Sequence, residues 1–275
     1  MIDTHRIQHA YQTVRRDLLA TRVKAGHWEG RLADSALSTA VAISALSAVA
    51  RHTARKERAD ACRSLAARGI EWLVVRQNAD GGWGDTDKSL SNIATTMLVR
   101  AALHMADVAD QHTELLSRAE AYIEREGGIA ALRRRYEGDK TFAVPILTNC
   151  AIAGLVPWKE VSPLPFEMAC LPHSALRFCR LPVVSYAIPA LVAIGQARFF
   201  HRCPRNPLMY AVRRASVLKS LKALERMQPT SGGYLEAVPL TSFVIMSLAS
   251  TGRADHPVVG KGLRFLWASV RENGS

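Results

Sequence analysis

Cys170, His173 and Cys179 are side-chain types that hold zinc, and they fall within ten positions of one another. A structural zinc takes four such ligands in a tetrahedron, and no fourth stands at a familiar spacing, so no metal is expected. The other cysteines, Cys62, Cys150 and Cys203, form no Cys-x-x-Cys pair, and none of the nine histidines lies in a His-Glu-x-x-His arrangement. The histidines read as scattered surface residues. No cofactor is expected, and with no cleavable signal segment opening the chain the thiols read as cytoplasmic.

A different set of residues recurs. The stretch QNADGGW, Gln77 to Trp83, follows the apolar run IEWLVV. Its Asn, Asp and paired Gly are turn chemistry, because Gly reaches positive φ at no steric cost and Asn or Asp bonds its own backbone. A helix must therefore stop near Gln77. LERMQPTSGGYLEA repeats the pattern, with Leu224 over Leu73, Gln228 over Gln77, Gly232 and Gly233 over the glycine pair, and Tyr234 over Trp83. LLATRVKAGHWEGRL keeps Leu18, Gly26 and Trp28 but has Arg22 in place of the glutamine. LRFLWASVRENGS lays Leu266 over Leu73, Asn273 over Asp80 and Gly274 over Gly81.

The elements that carry these turns are helical. Ala, Leu, Arg and Val dominate, and stretches such as ALSTAVAISALSAVARHTA and NIATTMLVRAALHMADVA place apolar residues at three-to-four spacing. Strand-like alternation is absent. With 275 residues, 48% of them hydrophobic, the chain has enough apolar surface for a large core, and an all-α array of antiparallel hairpins is expected.

The formal charge of +12 calls for an anionic partner or a heavily solvated surface. Nucleic acid is not expected, since no basic-aromatic strand, zinc finger or helix-turn-helix pattern accompanies the charge. A membrane surface has a better local feature. LPVVSYAIPALVAIGQA lies between Arg180 and Arg198, too short to span a bilayer but apolar and flanked by basic residues. It reads either as a buried helix or as a segment dipping into one leaflet through Leu181, Val184 and Leu191.

The repeated Leu-x3-Gln-to-Gly-x-aromatic elements on an all-α chain resemble the squalene–hopene cyclase family of class II triterpene cyclases. AGHWEGRLADSALST, EGGIAAL with FAVPILTNCAIAGL, VPWKEVSPLPFEMACLP and GGYLEAVPLTSFVIMSLASTG resemble family elements in family order. The resemblance implies that each glutamine–tryptophan repeat fastens one helix end to the next. Trp28, Gln77, Trp83, Gln228 and Tyr234 are then structural. A side-chain amide satisfies orphan backbone groups and an indole shields the bond.

The resemblance further implies an α/α barrel (toroid) at residues 32–235, inserted into a second, incomplete barrel made by residues 1–31 and 236–275. A squalene-like polyprenoid substrate would meet Leu32 and Trp158. It also implies peripheral, monotopic attachment to the membrane and completion by a C-terminal cyclase half. The family's Asp-x-Asp-Asp acid is absent; Asp85-Thr86-Asp87-Lys88 is the nearest string and follows a repeat turn. PWKEVS departs from the family's PWxxVP, and Pro239 stands near a family tryptophan, which leaves the identity of the polyprene open. The alternative is a non-catalytic α/α-barrel module holding a lipid or a protein. A protein prenyltransferase β-subunit shares the barrel but needs a zinc site.

Overall fold

The computed structural model describes residues 3–30, 32–137, 140–171 and 187–275. Residues Met1–Ala33 form one compact unit and Asp34–Ser275 another. In the first, helix α1 (Thr4–Ala20) starts where the Asp3 carboxylate accepts from the His5 and Arg6 N–H groups, and no residue of it is buried. No strand occurs among the described residues.

The second unit contains α2 (Ala36–His52), α3 (Lys56–Val74), α4 (Ile93–Met105), α5 (Thr113–Glu126), α6 (Gly128–Arg135), α7 (Lys140–Ile152), α8 (Ile188–His201), α9 (Pro207–Met227), α10 (Val238–Leu248) and α11 (Pro257–Ser269). Local chemistry sets their ends. Ser35 and Asn92 cap α2 and α4 through their side-chain oxygens, and Pro207 and Pro257 occupy the first turns of α9 and α11, where a missing N–H costs nothing.

Two kinds of helix build a closed ring. The apolar helices α2, α4, α7, α8 and α10 pack each on the next, and α10 returns to α2. Around them lie amphipathic helices, α3 on α2, α5 on α4, α9 on α8 and α11 on α10. In α3 only a stripe such as Cys62, Ala66, Gly69, Ile70 and Leu73 is buried, whereas in α4 nearly every residue is. The α/α barrel that the family resemblance implies is the observed architecture of this unit.

The repeat turns hold the outer ring together. Gln77 Nε2 donates to Gly81 O at 2.9 Å and across to Leu115 O on α5 at 2.8 Å. Gln228 Nε2 donates to Gly232 O at 2.9 Å and to Val258 O on α11 at 3.0 Å. Trp83 Nε1 and Tyr234 Oη each return to the helix just ended, donating to Leu73 O and Leu224 O at 3.0 and 2.9 Å. Gly81 and Gly232 sit at φ +89° and +90° against the next outer helix, and a Cβ on Gly81 would lie 2.6 Å from Arg118 O. Positive φ and close approach together require glycine there.

The last copy does the same work without its glutamine. Gly274, at φ +90°, lies against Arg68 O on α3. Arg68 Nη2 donates to Arg271 O and Glu272 O, as Arg118 Nη2 does to Asn78 O and Ala79 O. Arg271 and Asn273 also bond the Asp34 carboxylate. Residues 236–275 thus complete the ring begun at Asp34. Helix α10 packs on α2 and α8, and the tail turn grips α3.

Of the apolar stretch read as a buried helix or a leaflet-dipping segment, residues 187–197 are described. Leu181 and Val184 lie outside the described residues. Leu191 lies on inner helix α8, half-buried and packed on the core, with Val192, Ala193 and Ile194 beside it fully covered. Core packing of this kind fits its place, because closing the ring needs an apolar helix between α7 and α10.

Three outcomes are expected. Trp83→Ala should lower unfolding stability by roughly 3–5 kcal/mol in chemical denaturation, since the ring is fully buried; an unchanged midpoint would contradict the lock. Leu191→Glu should cost about 2 kcal/mol or more, read as a lower melting temperature, because a carboxylate would replace core contact. The third concerns acid.

Asp255 is held below the usual carboxylate range by Thr53 Oγ1 and the Ala54 N–H, aided by Arg58 and Arg55. Burial would raise Asp34 and Asp80, but hydrogen bonds from Asn273 and Arg271, and from Ser91 and the Gly82 N–H, outweigh it and lower both. A depressed carboxyl contributes its full stability above its unfolded pKa of about 4 and loses it as pH falls through the lower folded value. Urea midpoints should stay level for these groups at neutral pH and fall below about pH 4, with a smaller fall in Asp255→Asn.

Candidate functional site

The inner helices run the same way, so their ends gather into two rims. Arg51, in the last turn of α2, donates to Met105 O at the end of α4 at 3.0 Å and pairs with Asp107. His201, at the end of α8, bonds the backbone at Ser250 beyond α10. Burial lowers the pKa of both His201 and His52, and proximity to His52 lowers that of His201 further. Arg51 thus lies where the negative ends of the helix dipoles collect, where a cation is favourable, and His52, His104 and His201 lie beside it, held toward the neutral form by burial. This rim is basic and aromatic: Trp158, just after α7, stacks on the His201 imidazole at 4.5 Å and 10°.

At the opposite rim the repeat turns meet the helix starts. The Trp83 and Tyr234 N–H groups donate to Thr96 Oγ1 and Thr241 Oγ1 in the first turns of α4 and α10. Asp85 belongs to this rim. Its Oδ1 accepts from Asn92 Nδ2 at 2.8 Å and Thr95 Oγ1 at 2.6 Å, and its carbonyl accepts from Ser35 Oγ. The nearest string to an acid motif is therefore a brace between α2 and α4. Asp34, Asp80 and Asp255 are held ionised by their partners, which is the wrong state for donating a proton to an alkene.

Gln77 is brought together with Trp83, and Gln228 with Tyr234, as the repeats require. In the first unit, Trp28 Nε1 donates to Leu18 O at 2.7 Å, and Arg22 Nε donates to Gly26 O at 2.9 Å, half of what the glutamines do. Arg22 is thus a working substitute rather than a broken copy. Leu32 also lies in that unit, 83% exposed, while Trp158 is half-buried in the other. Asp34, Arg68, Arg118 and the Asp255 clamp were not singled out from sequence. Their one legible signal is a basic residue three places after an apolar one on each gripped helix, Leu65 to Arg68, Leu115 to Arg118 and Val258 to Lys261. No group of three metal-binding side chains occurs among the described residues, Cys170 included; His173 and Cys179 lie outside them.

The squalene-hopene cyclase N-terminal domain model matches residues 11–194. Over 143 residues the chain is 29% identical to squalene hopane cyclase afumA of Aspergillus fumigatus, which covers 50% of this chain and 17% of that protein. Over 101 residues it is 33% identical to enfumafungin synthase efuA of Hormonema carpetanum, 37% of this chain and 7% of that protein. The matches span less than a fifth of either relative. The family match runs across more than half of the chain, from the first glutamine-type turn through α7 and into α8, and the chain belongs to the squalene-hopene cyclase N-terminal domain family.

Proposed function

We propose that this chain is the N-terminal portion or a subunit of a triterpene cyclase, shaping part of the cavity in which a squalene-like polyprene folds while the acid that starts cyclisation comes from elsewhere in the enzyme. Family membership carries the reading. It is supported by the name of one relative, a squalene hopane cyclase, and by the chemistry of the carboxylates. Protonating an alkene takes a strong, protonated carboxylic acid in a dry site, and guiding the cations takes aromatic faces. Asp34, Asp80, Asp85 and Asp255 are spent on fastening helices, and the 275 residues contain no Asp-x-Asp-Asp string.

Within this reading Leu32 and Trp158 are substrate contacts. The Trp158 indole is fixed by its stack on His201, which is what a cation-guiding ring needs. The enzyme attaches to the membrane surface, because a polyprene of this kind is dissolved in the bilayer. In this reading the attachment is peripheral; no described helix is long and apolar enough to cross a membrane.

Incubation of the chain alone with squalene, followed by gas chromatography, should return squalene only. Addition of a separately expressed cyclase portion carrying the acid motif should give a cyclic product. A cyclic hydrocarbon from residues 1–275 alone would overturn the reading, since it would require a proton donor within them.

A further inference from the structure

The corner between α8 and α9, with the loop after α10, encloses a cleft of about 500 Å³. Phe199, Tyr210 and Val217 line it, Arg214 and Arg253 reach it, and Gln196 is part of its wall. The neighbouring Arg213 is neutralised by Glu167 at 3.3 Å. Arg214 and Arg253 have only neutral acceptors, Tyr210 Oη at 3.4 Å and Thr251 Oγ1 at 2.7 Å, and no carboxylate partner among the described residues. Burial pulls the Arg253 pKa below the usual arginine range without an anion to offset it. Gln196 is 2% exposed; its Nε2 bonds Ser220 Oγ and Val217 O, while its Oε1 has no partner among the described residues.

The surroundings narrow the ligand class. Phe200, Leu208, Val212 and Leu218, on the same two helices, are large apolar side chains left exposed. Residues 187–227 carry eight Lys or Arg and a single acid, Glu225. Two unpaired guanidiniums suit a phosphate, which takes bidentate hydrogen bonds from arginine. A buried acceptor suits a hydroxyl. An apolar border suits hydrocarbon chains and gives nothing to a nucleic acid backbone.

We propose that this cleft binds the head group of an anionic phospholipid, its phosphate on Arg214 and Arg253, a head-group hydroxyl on Gln196, and its chains along Phe200, Leu208 and Leu218. The assignment rests on the membrane reading above and adds a specific site to it. The site is formed at the α8 to α9 corner, not by the apolar face of α8 itself.

Sedimentation with vesicles of phosphatidylcholine alone, and of phosphatidylcholine and phosphatidylglycerol in equal parts, tests it. Wild type should prefer the anionic vesicles. Arg214→Gln, at an exposed position that folding tolerates, should reduce that binding about fivefold, as should Arg253→Gln. Lys222→Gln, which removes the same charge on α9 outside the cleft, should have a smaller effect. Binding to phosphatidylcholine should be unchanged in all three. Equal losses for Lys222→Gln and Arg214→Gln would mean diffuse attraction and would sink the site. So would retained phosphatidylcholine binding with no arginine effect, leaving the membrane reading intact. No wild-type binding to either vesicle would remove the membrane reading itself. Preferential binding of single-stranded RNA, abolished by the same arginine changes, would assign the cleft to nucleic acid and overturn the lipid.

Discussion

A glutamine amide placed just beyond a helix holds two carbonyls at once, one on its own turn and one on the neighbouring outer helix. Helix termini leave carbonyls unpaired, and a ring of helix hairpins exposes such ends at every joint. Trp83 Nε1 and Tyr234 Oη take up such carbonyls, Leu73 O and Leu224 O, on the helix just ended. Gln77 and Gln228 reach across the joint to Leu115 O and Val258 O in the first turn of the next outer helix, so the turn that ends one hairpin also positions the next. The glycine at positive φ brings the chains into contact, and the aromatic ring covers the bond from water. Because these bonds are buried at Gln228 and partly buried at Gln77, each is worth more than a surface pair, and losing one partner strands the other.

That joint also sorts the molecule's two ends. The repeat locks, with Asp34, Asp80 and Asp85, sit where the inner helices begin, and the helix C-termini are left to the other rim, with Arg51 at their converging negative dipoles and Asp107 and Asp255 bracing the end of α2. One rim is stapled by the repeat turns. The other is basic, aromatic and near the cleft containing Arg214 and Arg253. A polyprene-handling reading places chemistry and lipid contact at the second rim for that reason.

Most of the architecture was legible because it rests on periodicity and turn chemistry. Apolar residues at helical spacing gave the hairpins, and the Gln-to-Gly-x-aromatic spacing gave the fastening points, including the altered copy at Arg22. The tail was legible as a repeat but not as to where it attaches. LRFLWASVRENGS names no partner, and its grip on Arg68 and Asp34 spans more than two hundred positions. The stretch around Leu191 left two readings open for a related reason: an inner barrel helix is apolar all round, so local composition does not separate it from a lipid-facing segment. The cleft was illegible because its arginines, Gln196 and apolar border come from three segments that only the ring brings together.

Ring closure by the tail is the claim on which the boundary at Asp34 and the placement of α10 and α11 turn, and a double-mutant cycle on Asp34 and Arg271 measures it directly. Asp34→Asn, Arg271→Gln and the double variant, compared by urea unfolding at neutral pH, should show a coupling of about 0.5–1 kcal/mol, as befits a partly exposed pair. Strictly additive effects, with coupling indistinguishable from zero, would mean that the tail does not close the ring on the first hairpin.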